Sequence, residues 1–260
     1  MMTHRLPRAR CKARQTGLTL IELMISVTIA LFVSAGFLFI FVSMNRDVLT
    51  QTQLAQLQDR ERTVRNLLSD TLQHAGYFPQ PLTNSLNAAF PATSTLEWPD
   101  GASMAQSIGQ VVTGRGNTNG NGGLAGAASD SISVRYQTAP GDGVLNCQGG
   151  SNTTGNNATY QNTYFVNDQF QLLCSVNNNT PMVLAEGVGA LQLRYGVGIA
   201  TPGTVDTYMS AEALTRDATW NRVSTIMVTL FFLDSTRSRV GAPVALSQPT
   251  VQIIGLKGRL

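Results

Sequence analysis

The sequence predicts an α+β protein in which one long amino-terminal helix is packed on an antiparallel β-sheet. Three observations predict it. From Leu18 to about Ala75 the chain has no Pro, and Gly36 is its only Gly before Gly76. After Pro79 the composition turns to Asn, Thr, Ser, Gly and Pro broken by short apolar runs, which reads as strands and turns. A helix followed by strands, with no regular alternation of the two, is the order expected of an α+β domain.

A helix over Leu18–Ala75 would run roughly 85 Å. Its first half is apolar on every face, as a lipid environment requires. The run from Leu23 to Met44 holds no charge and is long enough to span a bilayer. One acid, Glu22, stands at its head, and an ionisable group in that position is costly enough to mark function. The second half turns amphipathic: Leu54, Leu57, Val64, Leu68 and Leu72 recur at helical spacing, with Arg60, Glu61, Arg62 and Arg65 between them. That apolar face must pack on something, most simply a sheet from the downstream chain. The helix is expected to stop near His74-Ala75-Gly76-Tyr77, with Gly76 as cap and Pro79 just beyond.

An ordinary secretory signal puts its cleavage site after the apolar region. Here the small residue, Gly17, comes before it, within Gly17-Leu18-Thr19-Leu20-Ile21-Glu22-Leu23. Cutting there would remove a basic leader and leave the helix on a chain that starts at Leu18. This arrangement resembles the class III signal of the type IV pilin superfamily, which includes pilins, minor pilins and the pseudopilins of type II secretion. The resemblance implies a type IV pilin-like fold, cleavage between Gly17 and Leu18 by prepilin peptidase, N-methylation of Leu18 by the same enzyme, and a helix that becomes filament core. Most members begin the mature chain with Phe or Met, so Leu18 departs mildly from the pattern. Many major pilins carry a Pro in the apolar half; its absence here points to a minor subunit.

The formal charge of +3 hides an asymmetry. Arg5, Arg8, Arg10, Lys12 and Arg14 lie in the leader with no acid beside them. Removing these five from 18 basic residues leaves 13 against 15 acids, so the remainder is net negative. The basic balance is therefore no nucleic-acid footprint. Five positive charges before the span, against a lone Arg46 beside Asp47 just after it, keep the leader cytoplasmic and send the rest across. The expected organisation is residues 1–17 as cleaved leader, 18–44 as transmembrane and filament-core helix, 45–76 as the amphipathic half of the same helix, and 77–260 as a β-rich periplasmic head. The protein is expected in the bacterial inner membrane as a single-pass subunit that can pass into the pilus.

Cys11 leaves with the leader, while Cys147 and Cys174 remain as an even pair in an oxidising space. They read as one structural disulfide, which would stabilise the fold by roughly 3–4 kcal/mol on a chain-entropy model. A redox or metal role has neither CxxC spacing nor a neighbouring His to support it.

In the head, Ile132 to Tyr136 alternates and reads as a strand. Phe170 to Cys174, Met182 to Ala185, Leu191 to Tyr195, Ser224 to Leu233 and Val251 to Ile254 are further strands, with Thr225 to Phe232 the best central candidate. Ala211 to Arg216 reads as a short helix capped by Ser210. Two Gly/Asn-rich segments, Gly114–Gly123 and Gly149–Asn157, read as mobile surface loops; neither carries a phosphate-loop ending. Asn152, Asn157 and Asn178 sit in incidental sequons.

Catalytic chemistry is scarce. Of two His, His4 is in the leader and His74 stands alone at a helix end. There is no nucleophile elbow or zinc motif, and Tyr195–Gly203 has no acid of the calcium-loop kind until Asp206. No enzyme, metal or cofactor is expected.

The segment Leu184–Gly196, with Tyr208-Met209-Ser210-Ala211, Trp220-Asn221-Arg222-Val223 and Ala75-Gly76-Tyr77, resembles PilW-type minor pilins. Structurally, Glu186-Gly187-Val188 reads as a turn and Leu191, Leu193 and Tyr195 as the inward face of a strand. The resemblance implies a minor pilin that helps initiate and assemble the type IV pilus, within a tip or priming complex serving adhesion and twitching. Its implied partners are prepilin peptidase, other minor pilins, the major pilin, the inner-membrane assembly platform, a tip adhesin and the bilayer, with no nucleic acid. The alternative is a J-like minor pseudopilin of type II secretion; a membrane-tethered periplasmic binding protein or enzyme is the third class.

Mass spectrometry of the purified protein is expected to show a chain starting at methylated Leu18. Gly17→Ala should slow that cut and a bulky residue should block it, whereas a mature terminus beyond Met44 would contradict the whole reading.

Overall fold

A computed structural model describes residues 17, 19–98, 101–116, 129–201, 203–234 and 245–259. The leader through Thr16, Leu18 and most of the stretch Gly114–Gly123 lie outside them. The fold is α+β: one long helix leads into antiparallel sheets. By its internal contacts the chain divides into two units, with the boundary between Thr52 and Gln53.

Helix α1 (Leu20–Leu72) runs 53 residues without a break. In the first unit all its residues are exposed. In the second, Val64, Leu68 and Leu72 recur every four residues and are buried, with Leu57 and Leu67 packed beside them. Leu54, expected on this face, is 48% exposed, because the packed strip begins only at Leu57. The helix gives way to turns at Gln73. Gly76 takes a φ of +79° and donates its N–H to the Arg135 carbonyl at 2.9 Å, so it ends the helix as expected and ties it to a strand.

Beyond it lie a one-turn helix α2 (Leu86–Ala89), capped by Ser85, and a two-stranded ribbon of β1 (Thr93–Glu97) and β2 (Ser103–Gln106). Then come β3 (Val112–Arg115), β4 (Ser131–Thr138), β5 (Ala158–Val166), β6 (Gln171–Val176) and β7 (Met182–Glu186), which form a five-stranded antiparallel sheet in that spatial order. β8 (Val188–Val197), β9 (Thr207–Met209), β10 (Val223–Phe232) and β11 (Thr250–Gly255) form a second sheet, ordered β11-β10-β8-β9. Between β9 and β10 stands helix α3 (Ala211–Arg216), whose cap is Ser210: its Oγ accepts from the Ala213 N–H at 3.4 Å.

Two sheets and a ribbon replace the single expected sheet. The split falls at Gly187, whose φ of +74° turns the chain out of β7 and into β8. A Cβ there would overlap the Arg60 guanidinium, so α1 packs against the turn itself. All six strands read from the sequence are present, but β1, β2, β3, β5 and β9 were not anticipated. β5 was hidden by its polarity (Tyr160-Gln161-Asn162-Thr163), yet it is the middle strand of its sheet. Asn162 is fully buried there and donates to the Tyr136 hydroxyl at 3.2 Å and, more weakly, to the Tyr164 hydroxyl at 3.4 Å. Its Nδ2 is thus bonded, while its Oδ1 is buried without a hydrogen-bond partner.

One core cluster joins Val64, Leu68 and Leu72 to both sheets: Ile132, Val134 and Tyr164 from one, Leu191, Leu193, Ile226, Val228 and Leu230 from the other. Leu68→Ala should cost about 2–5 kcal/mol of head stability, as for other large-to-small core changes. Leu38→Ala, on the same helix but uncovered, should change it by less than about 0.5 kcal/mol. Thermal unfolding of the full chain in detergent checks both.

Candidate assembly site

Gly17 is exposed, and a Cβ built on it meets nothing within 4 Å. Whatever requires Gly at this position is therefore not the packing of the described chain. Leu18, the expected methylated terminus, lies outside the described residues. The helix opens with the Leu23 N–H on the Thr19 carbonyl at 3.2 Å, and Glu22 stands in its first turn with an exposed side chain. No described side chain pairs with the Glu22 carboxylate.

From Leu20 to Met44 the helix presents bare hydrocarbon, with Leu20 at 79% and Phe32 at 81% exposure. It is long and apolar enough to cross a membrane, and its apolar window is wholly unburied by the rest of the chain. An apolar surface of this extent demands lipid or other helices around it. Two of the hydroxyls within it are satisfied internally: Ser26 donates to the Glu22 carbonyl at 2.6 Å and Thr28 to the Ile25 carbonyl at 2.8 Å. That is what a segment without water needs.

In the head, Cys147 and Cys174 are bonded, with Cα atoms 6.3 Å apart. The bond pins the stretch between β4 and β5 to β6. That stretch contains Gly149–Asn157, which is a loop as expected, but a bonded one. Asn146 Oδ1 accepts from the N–H groups of Gln148 and Gly150, and Asn152 Nδ2 donates to the carbonyls of Thr138 and Asn156. Of the sequon residues, Asn152 is thus buried and engaged, while Asn157 and Asn178 are exposed. Asp206 spends its carboxylate on the N–H groups of Ile199 and Ala200, at 2.8 and 3.0 Å, which holds the β8–β9 loop closed. Among the described residues no three His, Cys, Asp or Glu stand together as a metal site.

Comparison with known families gives two matches. Residues 12–38 match the prokaryotic N-terminal methylation motif, and residues 151–254 match type IV pilus-assembly protein W, PilW. The first covers Gly17, Glu22 and much of the uncovered helix; the second runs from the disulfide loop into β11. A search among curated proteins gave no match.

Sequence reasoning missed Arg135. The alternation in β4 placed it on an outward face, but the strand is buried on both sides. Its guanidinium donates to the carbonyls of Gln110, Pro91 (2.9 Å) and Ser107 (3.3 Å) and stands 5.8 Å from the centre of the Phe90 ring. Burial pulls its pKa down to about 10. It is a clamp on the chain that covers the sheet, and nothing in the local pattern marks it.

His74 is half-buried at the end of α1, with its ring 6.0 Å from that of Tyr136. Burial, then Lys257, lower its pKa, against smaller opposing pulls from Asp70 and Asp142. The unfolded chain therefore takes up this proton more readily than the folded one. Stability should fall as pH drops through the ordinary histidine range near about 6.5 and level off below the folded pKa. His74→Gln should flatten that part of the pH–stability curve, measured by thermal unfolding at a series of pH values.

Proposed function

We propose that this chain, which the two matches support as a type IV minor pilin, helps initiate and assemble the pilus within a priming complex at its tip. The observation that carries the reading is the pairing of two parts on one chain. One is an apolar helix left bare from Leu20 to Met44, with Glu22 at its head; the other is a head that matches PilW. The prepilin motif implies processing by prepilin peptidase and assembly with other pilins. In this reading cleavage follows Gly17, Leu18 is methylated, and the head stands in the periplasm until the subunit leaves the bilayer. A J-like pseudopilin would share the helix; the PilW match favours the pilus.

Glu22 then has a defined task. Cleavage creates a terminal amine four residues from its carboxylate, both at the edge of hydrocarbon, where an unpaired charge costs several kcal/mol. Within one helix the two can pair. On docking, the carboxylate meets a neighbour's amine instead, and the exchange draws the incoming subunit into axial register. The exposed carboxylate, paired with no described side chain, supports that role. The companions in this reading are other minor pilins, the major pilin, the assembly platform and a tip adhesin.

A strain lacking the gene should lose surface pili and twitching while enzyme secretion continues; loss of secretion with normal pili would move the protein to the export system. Glu22→Ala as the sole copy should still be cleaved and inserted, yet fail to co-purify with partner pilins. Normal piliation by that strain would show the charge to be dispensable.

A further inference from the structure

A single 3₁₀ turn, Lys257–Arg259, follows β11 and lies on the exit of α1. Two backbone contacts hold it there. The Lys257 N–H donates to the Gln73 carbonyl at 3.1 Å, just past the last residue of α1. The Gly258 backbone stands so close to that of Gly76 that a Cβ on Gly258 would collide with it. The preceding residue, Leu256, is anchored in the sheet by its N–H on the Ser224 carbonyl of β10 at 2.9 Å. Beyond it, among the described residues, the Lys257 bond to Gln73 is the one backbone hydrogen bond that ties the turn to another element.

His74 stands in the chain between the two points of attachment, half-buried. Its ring lies 6.0 Å from that of Tyr136 in β4, and among the described residues the imidazole has no hydrogen-bond partner. Three charged groups act on it: Asp70 from α1, Asp142 from the turn between β4 and β5, and Lys257 from the 3₁₀ turn. The Tyr136 hydroxyl donates to the Leu145 carbonyl, and burial keeps it protonated. Asp142 spends its carboxylate oxygens on the N–H groups of Ala139 and Val144, at 2.8 and 3.0 Å, and Asp70 is exposed. Neither acid forms an ion pair with the ring. A charged imidazolium in this place would be half out of water and beside a lysine, with no hydrogen bond to offset the cost. It would have to reach water, and its two covers resist unequally. Tyr136 is fully buried in a strand paired on both sides, whereas the turn hangs on one bond. The less firmly bonded segment opens first.

We propose that Lys257–Arg259 is a proton-released latch on the exit of α1: it holds while His74 is neutral, and it lifts from Gln73 and Gly76 when His74 takes up a proton. The sign follows from linkage. Once the turn has lifted, the ring regains the ordinary histidine value of about 6.5, while under the closed turn burial and Lys257 keep it lower. Protons therefore favour the lifted form. The latch is closed above the histidine range, opens as pH falls through it, and opens no further below the value of the closed state. Lys257 has two parts in this: its backbone N–H closes the latch, and its ammonium group makes the closed state intolerant of a second cation.

Hydrogen exchange of the full chain in detergent, corrected for the intrinsic pH dependence of each amide, reads the latch at Lys257. Exchange there should be about fivefold faster at about pH 5 than at about pH 7.5. The amide of Val228, in the middle of β10, should change by less than about twofold over the same range. His74→Gln should leave Lys257 equally slow at both pH values. Lys257→Gln keeps the backbone bond and should shrink the acceleration, because the closed state then accepts the proton more readily. Should His74→Gln fail to fold, Lys257→Gln and the Val228 comparison in the unaltered chain carry the test. An acceleration shared equally by Val228 would overturn the latch in favour of an effect on the whole head. Exchange at Lys257 that ignores pH, or that keeps its full response in His74→Gln or Lys257→Gln, would overturn it outright.

Discussion

The head depends on burying one strip of α1. Val64, Leu68 and Leu72 lie a helical turn apart, each almost wholly out of solvent, in a cluster that also holds the inner faces of both sheets. A two-sheet head has two apolar faces to cover, and the strip supplies the surface between them. The exit of the helix is fixed as tightly. The Gly76 N–H is held by the Arg135 carbonyl, and a Cβ on Gly258 would collide with the Gly76 backbone. The two glycines let the carboxy-terminal turn seat directly on the end of α1.

The same arrangement explains a polar layer inside the head. The ribbon and the chain around α2 cover the second face of the five-stranded sheet, and this face carries Ser131, Ser133, Arg135 and Thr163. A cation there would be prohibitive if unsatisfied. Backbone carbonyls meet it, and Gln106 and Gln110 both donate to the Thr113 hydroxyl at 2.8 Å. Each bond adds little net stability, but leaving any of these groups unpaired would cost more than the bond contributes. The cover is therefore specified by hydrogen bonding as much as by apolar area, with Leu96 and Trp98 as its apolar anchors.

This divides what could be read in the sequence from what could not. The helix was legible because a Pro-free apolar run with one acid at its head admits few other meanings. Leu191, Leu193 and Tyr195 were legible as an inward face because they alternate, and all three are buried. Ser210 was legible as a cap because the helix after it has a clear start. β5 was not: its Asn and Gln look like loop, and the Asn162 Nδ2 finds its partners in Tyr164, two residues on, and in Tyr136 of the neighbouring strand. Arg135 was not, because its burial depends on chain some 25 to 44 residues earlier. The division into two sheets was not, since alternation reports a face and never a partner. At the amino terminus, Gly17 and Glu22 stand out by their order along the chain, within the residues that match the N-terminal methylation motif.

α1 is under opposite demands along its length. Through its first unit it is exposed along its whole length, with Glu22 in the opening turn. Near Leu72 it must be held, since the head has no other apolar strip to close on. β11 lies at the held end. Two residues after Gly255, the Lys257 N–H is bonded to the last turn of chain leaving α1, at Gln73.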